Sequence, residues 1–148
     1  MPAAATTPTA VAESFLEAIV SGDPDRVAAH YAASVEVELP FGPPLLAGRT
    51  ASGRDPVRAQ LEASRDVRRY LRVEDAAIHA GADGETVLVE YTLHGEHLPG
   101  GAPFALRFAM VMTVRDGVIV HSRDYTDPVA AALLMGRGEE LAAHLAGA

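Results

Sequence analysis

Asp116-Gly117-Val118-Ile119-Val120-His121-Ser122-Arg123-Asp124-Tyr125-Thr126-Asp127-Pro128 is the stretch on which the reading of the fold turns. Asp116-Gly117 has the composition of a tight hairpin turn, the residues after it alternate, and Asp127-Pro128 stops the strand. A two-residue period puts Val118, Val120, Ser122 and Asp124 on one face, with Ile119, His121, Arg123 and Tyr125 on the other. The first face begins with valines and ends in a carboxylate. Such a carboxylate is either solvated at the sheet rim and paired with an arginine such as Arg107, or held in a pocket. In a pocket, burial raises its pKa toward neutrality and lets it exchange protons at working pH.

Working back from this strand, three more precede it at hairpin spacing. Leu71 to His79 ends at Gly81-Ala82-Asp83-Gly84, Thr86 to His97 ends at Leu98-Pro99-Gly100-Gly101, and Pro103 to Val114 ends at Asp116-Gly117. Short connections make all four antiparallel neighbours. Upstream lie helical signals. Val11, Phe15, Leu16 and Ile19 share one face of a helix closed by Gly22, and Asp23-Pro24 caps a second helix running to about Tyr31. Val35 to Leu39 alternates as a short strand before Pro40. Residues 41–53 read as a Gly/Pro-rich loop, and Asp55-Pro56 starts a third helix reaching about Tyr70. A terminal helical segment, Val129 to Leu145, is expected to break at Gly136 and Gly138. Helices first and a strand meander after give an α+β fold, one sheet packed against a few helices. Residues 1–9 are expected to form a disordered tail and 10–148 a single domain.

Composition narrows the chemistry. The chain has 148 residues, 49% of them apolar, a size suited to one domain with a substantial core. No apolar run approaches the ~18 residues needed to cross a bilayer, and the absence of Cys makes a cytoplasmic protein without disulfides the default expectation. A net charge of −8 argues against nucleic acid. The one basic cluster, Arg65, Arg68, Arg69 and Arg72, is interleaved with Glu62, Asp66 and Glu74 and is most simply a solvated helix face. With neither Lys nor Cys, Schiff-base and thiolate chemistry are excluded. Nucleotide-loop and hydrolase-elbow motifs are missing too. Carboxylates, histidines, tyrosines and arginines remain, which limits catalysis mainly to proton transfer and electrostatics.

The order of these features, with Gly22-Asp23-Pro24, His30-Tyr31-Ala32, Val35 to Phe41, Glu90-Tyr91-Thr92, Gly95, Gly101-x-Pro103-Phe104 and Arg123-Asp124-Tyr125, resembles the nuclear transport factor 2-like superfamily. The likeness runs from Ala10 to Pro128 and is greatest to the SnoaL-like polyketide cyclases and their relatives, including limonene epoxide hydrolase. It implies a strongly curved, mainly antiparallel sheet, wrapped by N-terminal helices into a cone with an apolar pocket at the wide end and followed by a C-terminal helix. Family chemistry must still be matched residue by residue. The positions of the ketosteroid isomerase base, first-helix tyrosine and protonated acid hold Leu39, Phe15 and Met110, so that machinery is missing. The limonene epoxide hydrolase Arg-x-Asp pair matches Tyr91-x-Leu93, and its water-binding Tyr and Asn fall on Glu36 and Glu38. Asp124 falls on a catalytic carboxylate of that enzyme, and the SnoaL-like cyclases are similar in relying on an acid there.

Asp124 is therefore the leading catalytic candidate, with Tyr91 to orient a substrate oxygen and Glu38 as a second carboxylate. Against these stand a core tyrosine with a satisfied hydroxyl and a solvated strand face. Candidates for the pocket lining are Phe15, Leu39, Phe41, Val89, Leu93, Phe108, Met110, Met112, Val120 and Ser122. His94 and His97 lie on opposite strand faces and lack a third ligand, so no metal is expected. His30 is read as a helix-terminal residue, and His121 faces away from Asp124. The expectation is a cofactor-independent enzyme that cyclises or isomerises an apolar, polyketide-like metabolite. Epoxide opening and a non-catalytic binding or dimerisation module are the alternatives. The partners expected are a hydrophobic small molecule and a second copy in a homodimer, with no membrane.

Overall fold

The computed structural model describes residues 6–41 and 51–147. Helix α1 (Pro8–Ser21) starts two residues before the periodic pattern suggests, because Thr7 caps it by accepting from the Ala10 amide at 3.1 Å. Gly22, with φ 72°, closes the helix in the left-handed conformation that glycine adopts without strain. Asp23 then accepts from the amides of Asp25 and Arg26, and Pro24 opens α2 (Pro24–Ala28). That helix ends earlier than expected, since Tyr31 already belongs to strand β1 (Tyr31–Glu38). Within the expected loop, Ala51–Ser52 forms a two-residue strand β2 antiparallel to β1; positions 42–50 lie outside the described residues.

Helix α3 (Arg54–Ser64) is shorter than its sequence pattern, because Arg68 to Tyr70 pair with β4 instead. The meander follows as β3 (Arg68–Ala80), β4 (Thr86–His97), β5 (Pro103–Arg115) and β6 (Val118–Thr126), all antiparallel neighbours. The turn between β5 and β6 has positive φ at both Asp116 (52°) and Gly117 (77°), which the Asp-Gly pair allows. Asp127 ends β6 and caps α4 (Pro128–Leu134), accepting from Val129 and Ala130 amides, and α5 (Gly138–Ala146) follows. The single sheet has the order β2-β1-β6-β5-β4-β3, with β1 parallel to β6.

The sheet curves because its ladders are interrupted. Strand β3 bulges between Tyr70 and Arg72 and again between Glu74 and Ala77, and β1 bulges between Tyr31 and Glu36. A further irregularity corrects the strict alternation assigned to β6. Thr113 pairs with His121 but Val114 pairs with Ile119, so Val120 is the extra residue. The bulge puts Ile119, fully buried, on the inner face with Ser122 and Asp124, while Val118 and Val120 are only partly buried. On the inner face Val87, Val89, Tyr91 and Leu93 of β4 oppose Met112, Met110, Phe108 and Leu106 of β5. Helix α1 lays Val11, Phe15 and Leu16 into this concavity. Each such side chain contributes about 1.5–3 kcal/mol by leaving water. Among the described residues no helix is long and apolar enough to cross a membrane.

Candidate functional site

The concave face is not filled completely. A cavity of about 530 Å³ lies between the sheet and the three N-terminal helices, walled by Phe15, Val27, Tyr31, Val57, Leu93 and Met110 among others. Its exposed end is formed by Ser21 to Asp23 and by Arg65 and Arg69. A second cavity, about 170 Å³, lies on the side of α4 and is lined by Leu39, Phe41, Leu106, Phe108, Thr126 and Leu134 among others. Asp124, Arg68, Tyr70 and Phe108 line both.

Asp124 reaches this place because β6 has resumed its inward alternation after the Val120 bulge, opposite Met110. Asp124 is partly buried, and it lines both cavities. Burial pushes its pKa up to about 6, against a hydrogen bond from Ser122 and the charge of His121, both of which lower it. Ser122 Oγ donates to Asp124 Oδ1 at 2.5 Å. Arg107 does not take part: it lies on the opposite face of β5, and its carbonyl accepts from Thr126 Oγ1. Among the described residues Asp124 has no ion pair. The paired rim carboxylate is thus not the arrangement found.

Two tyrosines accompany it. Tyr91, 2% exposed, stacks on Phe108 with ring centroids 5.3 Å apart, and its hydroxyl donates to Met110 Sδ at 3.2 Å. Tyr31, 4% exposed, is held edge-on by Phe15 at 5.7 Å, and its hydroxyl has no hydrogen-bond partner among the described residues. Burial, then the nearby charge of Asp124, raises the pKa of both well above the ordinary tyrosine value, with Tyr31 and Tyr70 adding to the effect at Tyr91. Both phenols therefore stay protonated and remain donors.

The other sequence candidates divide. Phe15, Leu93, Phe108 and Met110 line the larger cavity, and Leu39, Phe41 and Phe108 the smaller. Val89 and Met112 are fully buried in the core and line neither. Val120 is the bulge residue, and Ser122 acts on Asp124 from behind, fully buried. Glu38 is not brought to Asp124. It projects from the outer face, where its Oε2 lies 2.9 Å from His121 Nε2, while Glu36 accepts from Ser52 Oγ. His30 lies between Ser14 Oγ at 2.8 Å and the Arg26 carbonyl at 2.9 Å, and His94 sits 2.6 Å from Glu74. Among the described residues no three His, Cys, Asp or Glu side chains gather as a metal site.

Sequence reasoning missed Tyr31, Tyr70, Leu98 and Arg68. In sequence Tyr31 reads as a helix end, and the bulge that follows it hides the spacing to Val35. Arg68 reads in sequence as part of a solvated helix face together with Arg65, Arg69 and Arg72. That placement is corrected by the structure: Arg68, Arg69 and Arg72 lie on β3, and Arg68 turns into the cavities.

The family model of the SnoaL-like domain matches residues 12–122. The chain belongs to that family. Solved structures place the SnoaL-like chain within the nuclear transport factor 2-like fold. A provisionally named polyketide cyclase from Xanthomonas campestris pv. campestris is 28% identical, with a TM-score of 0.68 over 80% of this chain and 89% of that one. A provisionally named isomerase from Bacillus subtilis, 20% identical, has a TM-score of 0.76 over 86% and 91%. The BvnE pinacolase of Penicillium brevicompactum, at 11% identity, has a TM-score of 0.74 over 90% and 95%. At identities this low, the last two similarities speak for the fold alone. Among curated proteins, the uncharacterized protein YesE of Bacillus subtilis (strain 168) is 35% identical over 52 residues, a match spanning 35% of either chain.

Proposed function

We propose that this SnoaL-like protein is a cofactor-independent enzyme that cyclises or isomerises an apolar, oxygenated, polyketide-like metabolite, with Asp124 as the acid/base. The observation that carries the reading is the Asp124 carboxyl, without an ion pair and flanked by two protonated phenols, in a largely apolar cavity large enough for a substrate. The name of the Xanthomonas relative supports the same class of reaction.

With a pKa of about 6, Asp124 is mostly ionised at pH 7 and yet basic enough to remove a proton from carbon. The C–H bond next to a substrate carbonyl breaks, its proton goes to Asp124, and its electron pair forms an enolate. Tyr31 and Tyr91 donate to the enolate oxygen; Tyr91 gives up only a weak sulfur acceptor to do so. For cyclisation the enolate carbon attacks a second carbonyl of the folded chain, and Asp124 returns its proton to the new alkoxide. For isomerisation the proton returns to a different carbon. The apolar walls hold the substrate folded, and that orientation lowers the barrier by about 7–11 kcal/mol at best.

The test is proton exchange on a simple surrogate. In deuterated buffer the protein is expected to accelerate deuterium uptake at the α-carbon of a bicyclic aryl ketone such as a tetralone, with activity lost as pH falls through about 6. Asp124→Asn should abolish the acceleration, and Tyr31→Phe should reduce it about 10–100-fold. An unchanged rate in Asp124→Asn overturns the proposal, and solvent oxygen in a product from an epoxide substrate would favour epoxide opening instead.

A further inference from the structure

Of the four arginines clustered between positions 65 and 72, three have acidic partners: Arg65 with Glu62 at 3.3 Å, Arg69 with Glu96 at 3.5 Å, and Arg72 with Glu74 at 3.7 Å. Arg68 has no ion pair among the described residues. Its Nε is covered by protein and lacks any hydrogen-bond partner, the only such buried side-chain atom among the described residues. Folded proteins leave few buried donors unmade, because each costs about 1–3 kcal/mol. Arg68 also lines both cavities, as Asp124 does, yet the two form no salt bridge, and Arg68 is not among the groups that shift Asp124. A permanent cation and a carboxyl thus face the same space without neutralising one another.

We infer that Arg68 is the receptor for a carboxylate on the substrate, so that the molecule taken up is an apolar carboxylic acid whose carbonyl end lies at Asp124. The inference rests on the catalytic reading above and names its substrate class. A guanidinium offers a planar fork of donors that matches a carboxylate two bonds at a time, and Arg68 presents its unpaired side chain to both cavities. The need is sharpened by the chain's net charge of −8, which repels anions at long range. Arg65 and Arg69 at the mouth are already occupied by Glu62 and Glu96. A free substrate carboxylate therefore has its strongest available partner at Arg68. Fixing that end would also set how far the chain reaches toward Asp124, which is the positional requirement of a cyclisation.

The experiment compares 2-naphthoate with its methyl ester, two probes of one shape and different charge, by NMR titration of the full-length protein with 13C-labelled aspartate. Wild type is expected to bind the acid at least 10-fold more tightly than the ester, and both should shift the Asp124 carboxyl signal. Arg68→Gln should remove the preference and leave ester affinity within about twofold. Arg68→Lys should keep part of it, and Arg65→Gln most of it. Equal affinity of wild type for acid and ester overturns the inference and leaves the catalytic reading intact. A preference that survives in Arg68→Gln overturns it as well. If neither probe moves the Asp124 signal, the cavity is no substrate site, and both readings fall together.

Discussion

Ser122 and His121 hold Asp124 below the pKa that burial alone would give it. Removing the Ser122 hydroxyl should therefore raise it, and Ser122→Ala should move the acid limb of the pH–rate profile upward by about 0.5–1 unit. The same carboxyl affects stability. Because its pKa in the folded protein is raised to about 6 from the ordinary aspartate value of 3.8, the folded state binds the extra proton between those values. Its contribution is best at pH below about 4 and is lost as pH rises through about 6. Asp124→Asn should accordingly stabilise the protein by on the order of 2 kcal/mol at pH 8 and have little effect at pH 4, read from urea midpoints at the two pH values. A loss of stability at pH 8 would mean that the ionised group is well solvated or paired. That Asp124 shares a face with Ser122 was legible from their parity, but the valines that marked this face as inward do not belong to it, because the Val120 bulge puts Ile119 there instead. The tyrosine beside Asp124 at position 31 was not legible, because an irregular stretch of β1 separates it from the alternating residues.

At the scale of elements, the meander shows which signals travel from sequence to structure. The bounds of β4 follow directly from Thr86 and from the turn after His97, and two of the three Asp-Pro pairs, at 23–24 and 127–128, cap helices as their chemistry dictates, whereas Asp55-Pro56 lies inside α3, which starts at Arg54 after Gly53 without a side-chain cap. Helix α3 and β3 divide differently from the pattern, because pairing of Arg68 to Tyr70 with Gly95 to His97 overrides local helical preference. That divergence also concealed Arg68, since on a helix face it reads as one of four solvated arginines. The bulge at Val120 is equally silent in sequence, although it decides which residues of β6 point inward. Gly95 marks the tightest point of this region: a Cβ there would meet the Arg69 carbonyl and come within 2.5 Å of the Phe104 ring. Gly95→Ala should destabilise the fold by about 1–3 kcal/mol, with displacement of Phe104 and Tyr70 visible in the aromatic NMR signals. An unchanged denaturation midpoint would show that the strand yields without cost.

Across the whole molecule, curvature and incomplete filling produce the site together. Bulges bend the sheet, α1 closes one side with Phe15, α4 bounds the smaller cavity with Ala131 and Leu134, and the carboxyl lies where the two spaces meet. Filling the larger space should separate binding from folding. Leu93→Trp is expected to weaken binding of the naphthyl probes more than 10-fold at a cost of about 1–3 kcal/mol in stability, and retained affinity would place the guests elsewhere. The sequence could indicate that a cone with an apolar interior forms, but not how much of that interior stays empty, since this depends on how side chains from distant strands meet. The claim on which the rest depends is that Asp124 is shielded from bulk water. Titrating its 13Cγ signal in the ligand-free protein tests this most directly: an inflection near 6 is expected, and one at 4 or below would contradict it.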